Sequence, residues 1–265
     1  MEYELDMYVV DAFTEEKFKG NSAAVVPLKD WLEPDVMQKI ATENNLSETA
    51  FVKKLSASKY QIRWFSPLTE IDFCGHATLA SSFVLFKYYG CIGEIEFETL
   101  HVGNLTVVQN LDGRIEMNFP KQELEPVVIC PAPLLNGLSI KPVEVLRNRQ
   151  AYVAVMRSED EVEKVTYDSE QLKQLAPFDV SITAAFDQYD FVSRYFWPAN
   201  GGDEDPVTGS IHTGLAPYWS KKLGKKNLTA YQASKRGGVL FCDVEEERVT
   251  IAGYGVLYMK GIIYV

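Results

Sequence analysis

RWFSPLTEIDFCGHATLA, Arg63 to Ala80, returns later in the chain as RYFWPANGGDEDPVTGSIHTGLA, Arg194 to Ala216. Each copy opens on an Arg-aromatic-Phe strand pattern ended by proline. Each then crosses an acidic loop and reaches a glycine, Gly75 or Gly209, that leads small residues to a Leu-Ala pair. A single short match carries little weight, but a strand, an acidic loop, a glycine and a helix in one order mark a duplication. The expectation is two related lobes packed about a pseudo-twofold axis, which brings two equivalent helix starts to one cleft. A helix start has unpaired N–H groups and about half a positive charge, so two of them make a cradle for an anion. Glycine at each start allows close approach of a ligand to the backbone.

The flanking sequence reads as short strands with few helices. Tyr3–Phe13 and Ser22–Leu28 are strands around the Gly20-Asn21 turn, and Pro34–Asn44 has helical spacing with Asp30 upstream as a cap. Gly75–Tyr89 is helical and stops at Gly90, and NLTVVQNLDGRIEMNF forms a hairpin on Asp112-Gly113. Beyond Pro120 the pattern restarts, with strands near Val143–Leu146, Tyr152–Met156, Val180–Ala185 and Phe191–Phe196, a helix near Glu170–Leu175, and a strand-rich last third.

Composition narrows the function. The net charge of −11 sets a repulsive field against phosphate backbones and anionic lipid, so nucleic acid and membrane are not expected partners. Cys74, Cys91, Cys130 and Cys242 are far apart and lack a CxxC pair or clustered histidines, which argues against a zinc site and a disulfide framework. The amino terminus carries acids through its apolar residues and no apolar run approaches the roughly 20 residues of a membrane span, so a soluble, cytoplasmic protein is expected.

Several residues carry chemistry. Glu48, in NNLSETAFV, stands between Ser47 and the apolar Ala50-Phe51-Val52, where a carboxylate loses hydration as a general base requires; a capping or solvent-facing glutamate reads equally well. His76 at the first turn of a glycine-led helix is disfavoured as a cation by the helix dipole, so it is expected neutral and hydrogen-bonded to a ligand. Cys74 reads as a thiolate activated by the helix start or as a small buried filler. Asp205 reads as a group that holds a substrate hydroxyl or cation, or as a cap, and Ser210 offers a donor beside Gly209.

DAFTEEKFKGNSAAVV, NLSETAFV, RWFSPLTEIDFCGHATLA, EDPVTGSIHTGLAPYW and ASKRGG, in this order over nearly the whole chain, resemble the phenazine-biosynthesis (PhzF-like) isomerase family. The resemblance implies a diaminopimelate epimerase-like α/β fold: two pseudo-symmetric lobes, each a mixed sheet around a central helix. The implied lobes are 1–120 with a returning strand at 253–265, and 121–252. It further implies a cofactor-independent, commonly homodimeric enzyme that moves a proton between carbons of a small carboxylic or amino acid in the interlobe cleft, with no metal. Glu48 would be the general acid/base, His76 and Asp205 would contact the substrate and the moving proton, and Gly75, Gly209 and Ser210, beside Cys74, would bind its carboxylate. An epimerase that uses Cys74 and a non-catalytic small-molecule binder are the alternatives. Ser22 stands where the family commonly has proline and Ile211 where alanine is common, a bulk expected to narrow the carboxylate cradle.

Overall fold

The computed structural model describes residues 4–265, and Tyr3, where the first expected strand begins, lies outside the described residues. The chain forms two compact units, 4–118 with 252–265, and 119–251. In chain order the elements are β1 (Glu4–Ala12), β2 (Asn21–Leu28), α1 (Pro34–Asn44), β3 (Glu48–Lys54), β4 (Lys59–Phe65), β5 (Glu70–Ile71), α2 (Gly75–Tyr88), β6 (Glu94–Glu98), β7 (Asn104–Gln109) and β8 (Ile115–Pro120). There follow β9 (Glu125–Pro126), α3 (Ala132–Gly137), β10 (Glu144–Arg147), β11 (Ala151–Val155), α4 (Glu159–Lys164), α5 (Ser169–Leu172), β12 (Asp179–Ala185) and β13 (Phe191–Phe196). The chain ends with α6 (His212–Leu223), β14 (Asn227–Gln232), β15 (Gly238–Val244), β16 (Arg248–Gly253) and β17 (Gly255–Tyr264).

The pairing pattern carries the duplication. In the first unit β17 is antiparallel to β1 and β1 to β2; β2 is parallel to β3, β3 antiparallel to β4, β4 parallel to β6, and β6 antiparallel to β7. In the second, β9 is antiparallel to β10 and β10 to β11; β11 is parallel to β12, β12 antiparallel to β13, β13 parallel to β14, and β14 antiparallel to β15. The sequence of senses is the same. Register also agrees: Thr49 pairs with Phe65 and Val180 with Phe196, so Arg63-Trp64-Phe65 and Arg194-Tyr195-Phe196 hold equivalent places. A helix follows the repeated strand in each unit, α2 in the first and α6 in the second.

Helix α2 is enclosed along most of its length, from His76 to Leu85, and packs on β1, β2 and β3. A helix apolar on every side belongs in a core, and its polar side chains must find internal partners. Thr78, Ser81 and Ser82 return their hydroxyls to the carbonyls of Cys74, Ala77 and Thr78 at 2.6, 2.7 and 2.8 Å. A separate cluster around Met37, Phe51 and Phe65 seats α1. The second unit has its own core around Leu134, Ile182 and Phe196. Among the described residues no helix is long and apolar enough to cross a membrane.

Three local expectations change. Glu33, not Asp30, precedes α1, which starts on Pro34 with no side-chain cap. Helix α6 starts at His212, because the chain from Gly209 is first a tight turn with His212 N–H on the Gly209 carbonyl and Thr213 N–H on that of Ser210. Helix α4 was not expected, although Ser158 caps it by accepting from Glu161 N–H at 3.4 Å, a Ser-x-x-Glu signature visible in the sequence.

Candidate active site

In the first unit the parallel pairing of β2 with β3 sets Glu48 at the start of β3, opposite Ala23, and α2 begins nearby with Cys74 at its N-cap position. Glu48 Oε2 lies 2.9 Å from His76 Nε2, with the two side chains 14% and 7% exposed. That oxygen is buried and accepts no well-aligned hydrogen bond, so the contact is a close charge pairing whose geometry is not that of a settled hydrogen bond. The other ring nitrogen, His76 Nδ1, has Asn21 Nδ2 at 3.2 Å and Cys74 Sγ at 3.4 Å. Asn21 in turn accepts from Ser47 Oγ at 3.2 Å.

Burial opposes a charge on His76, but its neighbours Cys74 and Glu48 outweigh it and the pKa stands well above the usual histidine value. The Cys74 thiol is itself pushed up to about 11, by burial first and the Glu48 charge second. With its pKa near 11 the Cys74 thiol keeps its proton at neutral pH, and the carboxylate contact that favours a charge on the ring is that of Glu48 Oε2. Two expectations are corrected here. His76 faces a carboxylate that raises its pKa where the helix start alone would lower it, and Cys74 is not an activated thiolate, because burial first and the Glu48 charge second raise its pKa. Asn21 suits either state of the ring: its amide nitrogen donates to a neutral Nδ1, and with the amide turned its oxygen accepts from an imidazolium, while Ser47 Oγ can donate or accept.

The oxygen, sulfur and nitrogen of Glu48, Cys74 and His76 all lie within 4.8 Å of one another, so the same donor set has the spacing to hold a metal ion.

In the second unit Asp205, Gly209 and Ser210 share the turn before α6. Thr208 Oγ1 donates to Asp205 Oδ2, and Gln232 pins the turn by donating to the Asp205 carbonyl and accepting from Thr208 N–H, both at 2.8 Å. Ser210 Oγ accepts from Gln150 Nε2 at 2.9 Å. Ile211, expected to narrow the cradle, is fully enclosed, so its bulk goes into packing.

The acidic loops of the repeat have a structural task. Arg63 grips Glu70 through Nε and Nη2 at 2.6 and 2.7 Å, and Arg194 grips Glu204 in the same forked way at 2.7 and 3.0 Å. One carboxylate of each loop thus ties the loop to the repeated strand. Sequence reading missed Asn21, which is wholly buried beside His76; an asparagine after a glycine reads as a turn residue, and only the burial gives it away. Ser22, in place of proline, donates its hydroxyl to the buried Asp11, whose other oxygen takes Phe18 N–H at 3.0 Å. His212 is likewise buried, with Nδ1 donating to the Thr208 carbonyl at 2.8 Å and Ser193 Oγ 3.4 Å from Nε2.

The duplicated α/β pairing pattern gives the chain a fold that epimerases share. A hydroxyproline epimerase from Agrobacterium vitis shares this fold at a TM-score of 0.62 with 11% identity, across 100% of this chain and 94% of that one. Residues 10–261 match the family described as phenazine biosynthesis-like protein, PhzC-PhzF, and the chain belongs to that family. It is 44% identical over 261 residues to an uncharacterized isomerase of Pseudomonas aeruginosa, covering 98% of this chain and 99% of the relative. It is 36% identical over 289 residues to a human phenazine biosynthesis-like domain-containing protein, covering 98% and 99%. A crystal structure of a PhzF-family protein from Enterococcus faecalis superposes at a TM-score of 0.94 with 45% identity, across 99% of this chain and 100% of that one.

Proposed function

We propose that this protein is a cofactor-independent isomerase that moves a proton between carbons of a small carboxylic or amino acid, with Glu48 as the general acid/base. The observation that carries this reading is the buried Glu48 Oε2, 2.9 Å from His76 Nε2 and without an aligned hydrogen bond. A carboxylate so placed can take a proton from carbon and return it, while His76 stabilises its charged form and releases it as the proton arrives. His76 and Asp205 are assigned contacts with the substrate. Gly75, Gly209 and Ser210 are assigned its carboxylate, for which backbone N–H groups and a hydroxyl are suitable donors, each contributing roughly 3 kcal/mol where charge develops. Cys74 is assigned a place in the pocket wall, since a thiol with its pKa near 11 is a poor base at neutral pH. A homodimer accompanies the family relation, and sedimentation equilibrium tests it.

Incubation in deuterated water with candidate amino and cyclic hydroxy acids tests the assignment. Deuterium is expected at carbon with the native protein and reduced about 10²- to 10⁴-fold in Glu48→Gln, while Cys74→Ser keeps most of the exchange. Full exchange in Glu48→Gln removes the assignment, and loss confined to Cys74→Ser transfers the role to the thiol. Dialysis against a chelator is expected to leave the exchange rate unchanged, as cofactor independence requires; a loss restored by a divalent ion would place a metal among Glu48, Cys74 and His76.

A further inference from the structure

The duplication sets a second carboxylate at the place that Glu48 holds. Glu48 opens β3 opposite Ala23 of the parallel neighbour, and Asp179 opens β12 opposite Ala151 of its own. By the same register Tyr195 stands at the place of Trp64, and in the sequence repeat Ser210, which follows Gly209, matches His76, which follows Gly75. In the second unit these positions are joined by hydrogen bonds. Tyr195 Oη donates to Asp179 Oδ2 at 2.7 Å, and Asn200 Nδ2 donates to the other oxygen at 2.7 Å. Gln150 Nε2 then donates to Tyr195 Oη and to Ser210 Oγ, each at 2.9 Å.

The direction of every proton in this chain follows from its anionic end. Burial raises the pKa of Asp179, but hydrogen bonds from Tyr195 and Asn200 oppose that rise, and as a carboxylate it accepts on both oxygens, so Tyr195 directs its single proton to Asp179. Tyr195 is buried, and burial together with the Asp179 charge raises its pKa, which keeps that proton in place. Its oxygen can then only accept from Gln150, which forces the NH₂ end of that amide inward. An NH₂ group has two protons, and the second falls on Ser210 Oγ. Ser210 is thereby an acceptor toward Gln150, and its own proton meets no acceptor among the described residues. A serine in water donates or accepts as needed; this one is held as a donor.

We propose that Asp179, Tyr195 and Gln150 are positioning residues that fix the hydroxyl of Ser210 as a hydrogen-bond donor and so favour a carboxylate, an acceptor-only group, over an ammonium, which can only donate. This deepens the function proposed above and rests on its assignment of Ser210 to the substrate carboxylate. None of the three touches substrate in this scheme; they act through Ser210. The first unit differs in kind, because the Asn21–Ser47 pair beside His76 can reverse with the state of the ring, whereas the Gln150 amide is held by a fixed charge.

The experiment uses the full-length protein. In ¹⁵N-labelled protein both side-chain amide protons of Gln150 are expected to exchange slowly with solvent and to show contacts with the Tyr195 ring and Ser210 Hβ. Tyr195→Phe, which removes only a hydroxyl, is expected to abolish that protection while the remaining amide resonances persist; Asp179→Asn is expected to act alike, and Tyr195→Phe stands in for it should that variant not fold. In calorimetry with L-tartrate, Ser210→Ala is expected to weaken binding roughly tenfold and Tyr195→Phe several-fold, with no further loss when both are combined. Unprotected Gln150 amide protons in the native protein, or independent and additive effects of the two substitutions, overturn the proposal. Protected protons with tartrate indifferent to Ser210→Ala leave the chain standing and instead remove the assignment of Ser210 to a carboxylate.

Discussion

His76 and His212 both stand at the start of a helix that follows the repeated strand, and burial lowers the pKa of each, yet their partners shift them in opposite directions overall. His76 faces Glu48 and is raised well above the usual value; His212 faces a backbone carbonyl and a hydroxyl, and burial lowers its pKa to about 4. The signs of their pH dependence are opposite. The charged His76 pair stabilises the fold fully below the unfolded-state value and loses its contribution as pH rises through the raised one. The neutral His212 stabilises above about 6.5 and loses its contribution as pH falls toward about 4, below which the loss levels off. At about 1.4 kcal/mol per pKa unit the His212 loss is on the order of 3 kcal/mol. Denaturant unfolding between these limits is expected to show a decline in native protein that is absent from His212→Asn, and a decline of equal size in both would show that another group is responsible. The repeat pointed to His76 at the residue scale; the identity of its partners was hidden because Asn21 and the Ser47-Glu48 pair lie far from it in the chain.

At the scale of elements, the two glycine-led helices meet different surroundings. Helix α2 is enclosed and returns its hydroxyls to its own backbone. Helix α6 carries Gly214 where the chain at Gln122 crosses: a Cβ there would lie 2.8 Å from the Gln122 carbonyl oxygen and 3.1 Å from Asn148 Nδ2. Alanine is the better helix former, so propensity alone predicts that Gly214→Ala stabilises by about 1 kcal/mol. Contact with a backbone oxygen is expected to reverse the sign, with a loss of about 1–3 kcal/mol in thermal or denaturant unfolding; a gain would show that the segment at Gln122 yields. Strand positions and the α1 boundaries were legible from periodicity, and β13 and α1 fall on the residues that pattern indicates. The start of α6 was not, since a tight turn and a helix share the same first residues and only the hydrogen bonds separate them. The short α3 and α4 carry too few apolar residues to show a period.

On the scale of the whole molecule, the first unit closes with the last strand of the chain. Strand β17 pairs antiparallel with β1 over Glu4–Ala12, a strand buried from Met7 onward. Removal of residues 254–265 is expected to expose that edge, giving an aggregation-prone protein whose second unit, continuous in sequence, remains folded. Hydrogen exchange of the refolded truncation checks this: protection retained in β1 would show that the edge does not need its partner. The sequence by itself determined the duplication, the family, the acidic net charge and the residue types at each helix start, because these are matters of order, spacing and composition. Tertiary structure alone decided the partners of His76, the raised pKa of Cys74, the enclosure of Ile211 and the chain from Asp179 to Ser210. Burial and hydrogen-bond direction depend on which distant side chains meet in a low-dielectric interior, and spacing along the polypeptide does not encode that meeting.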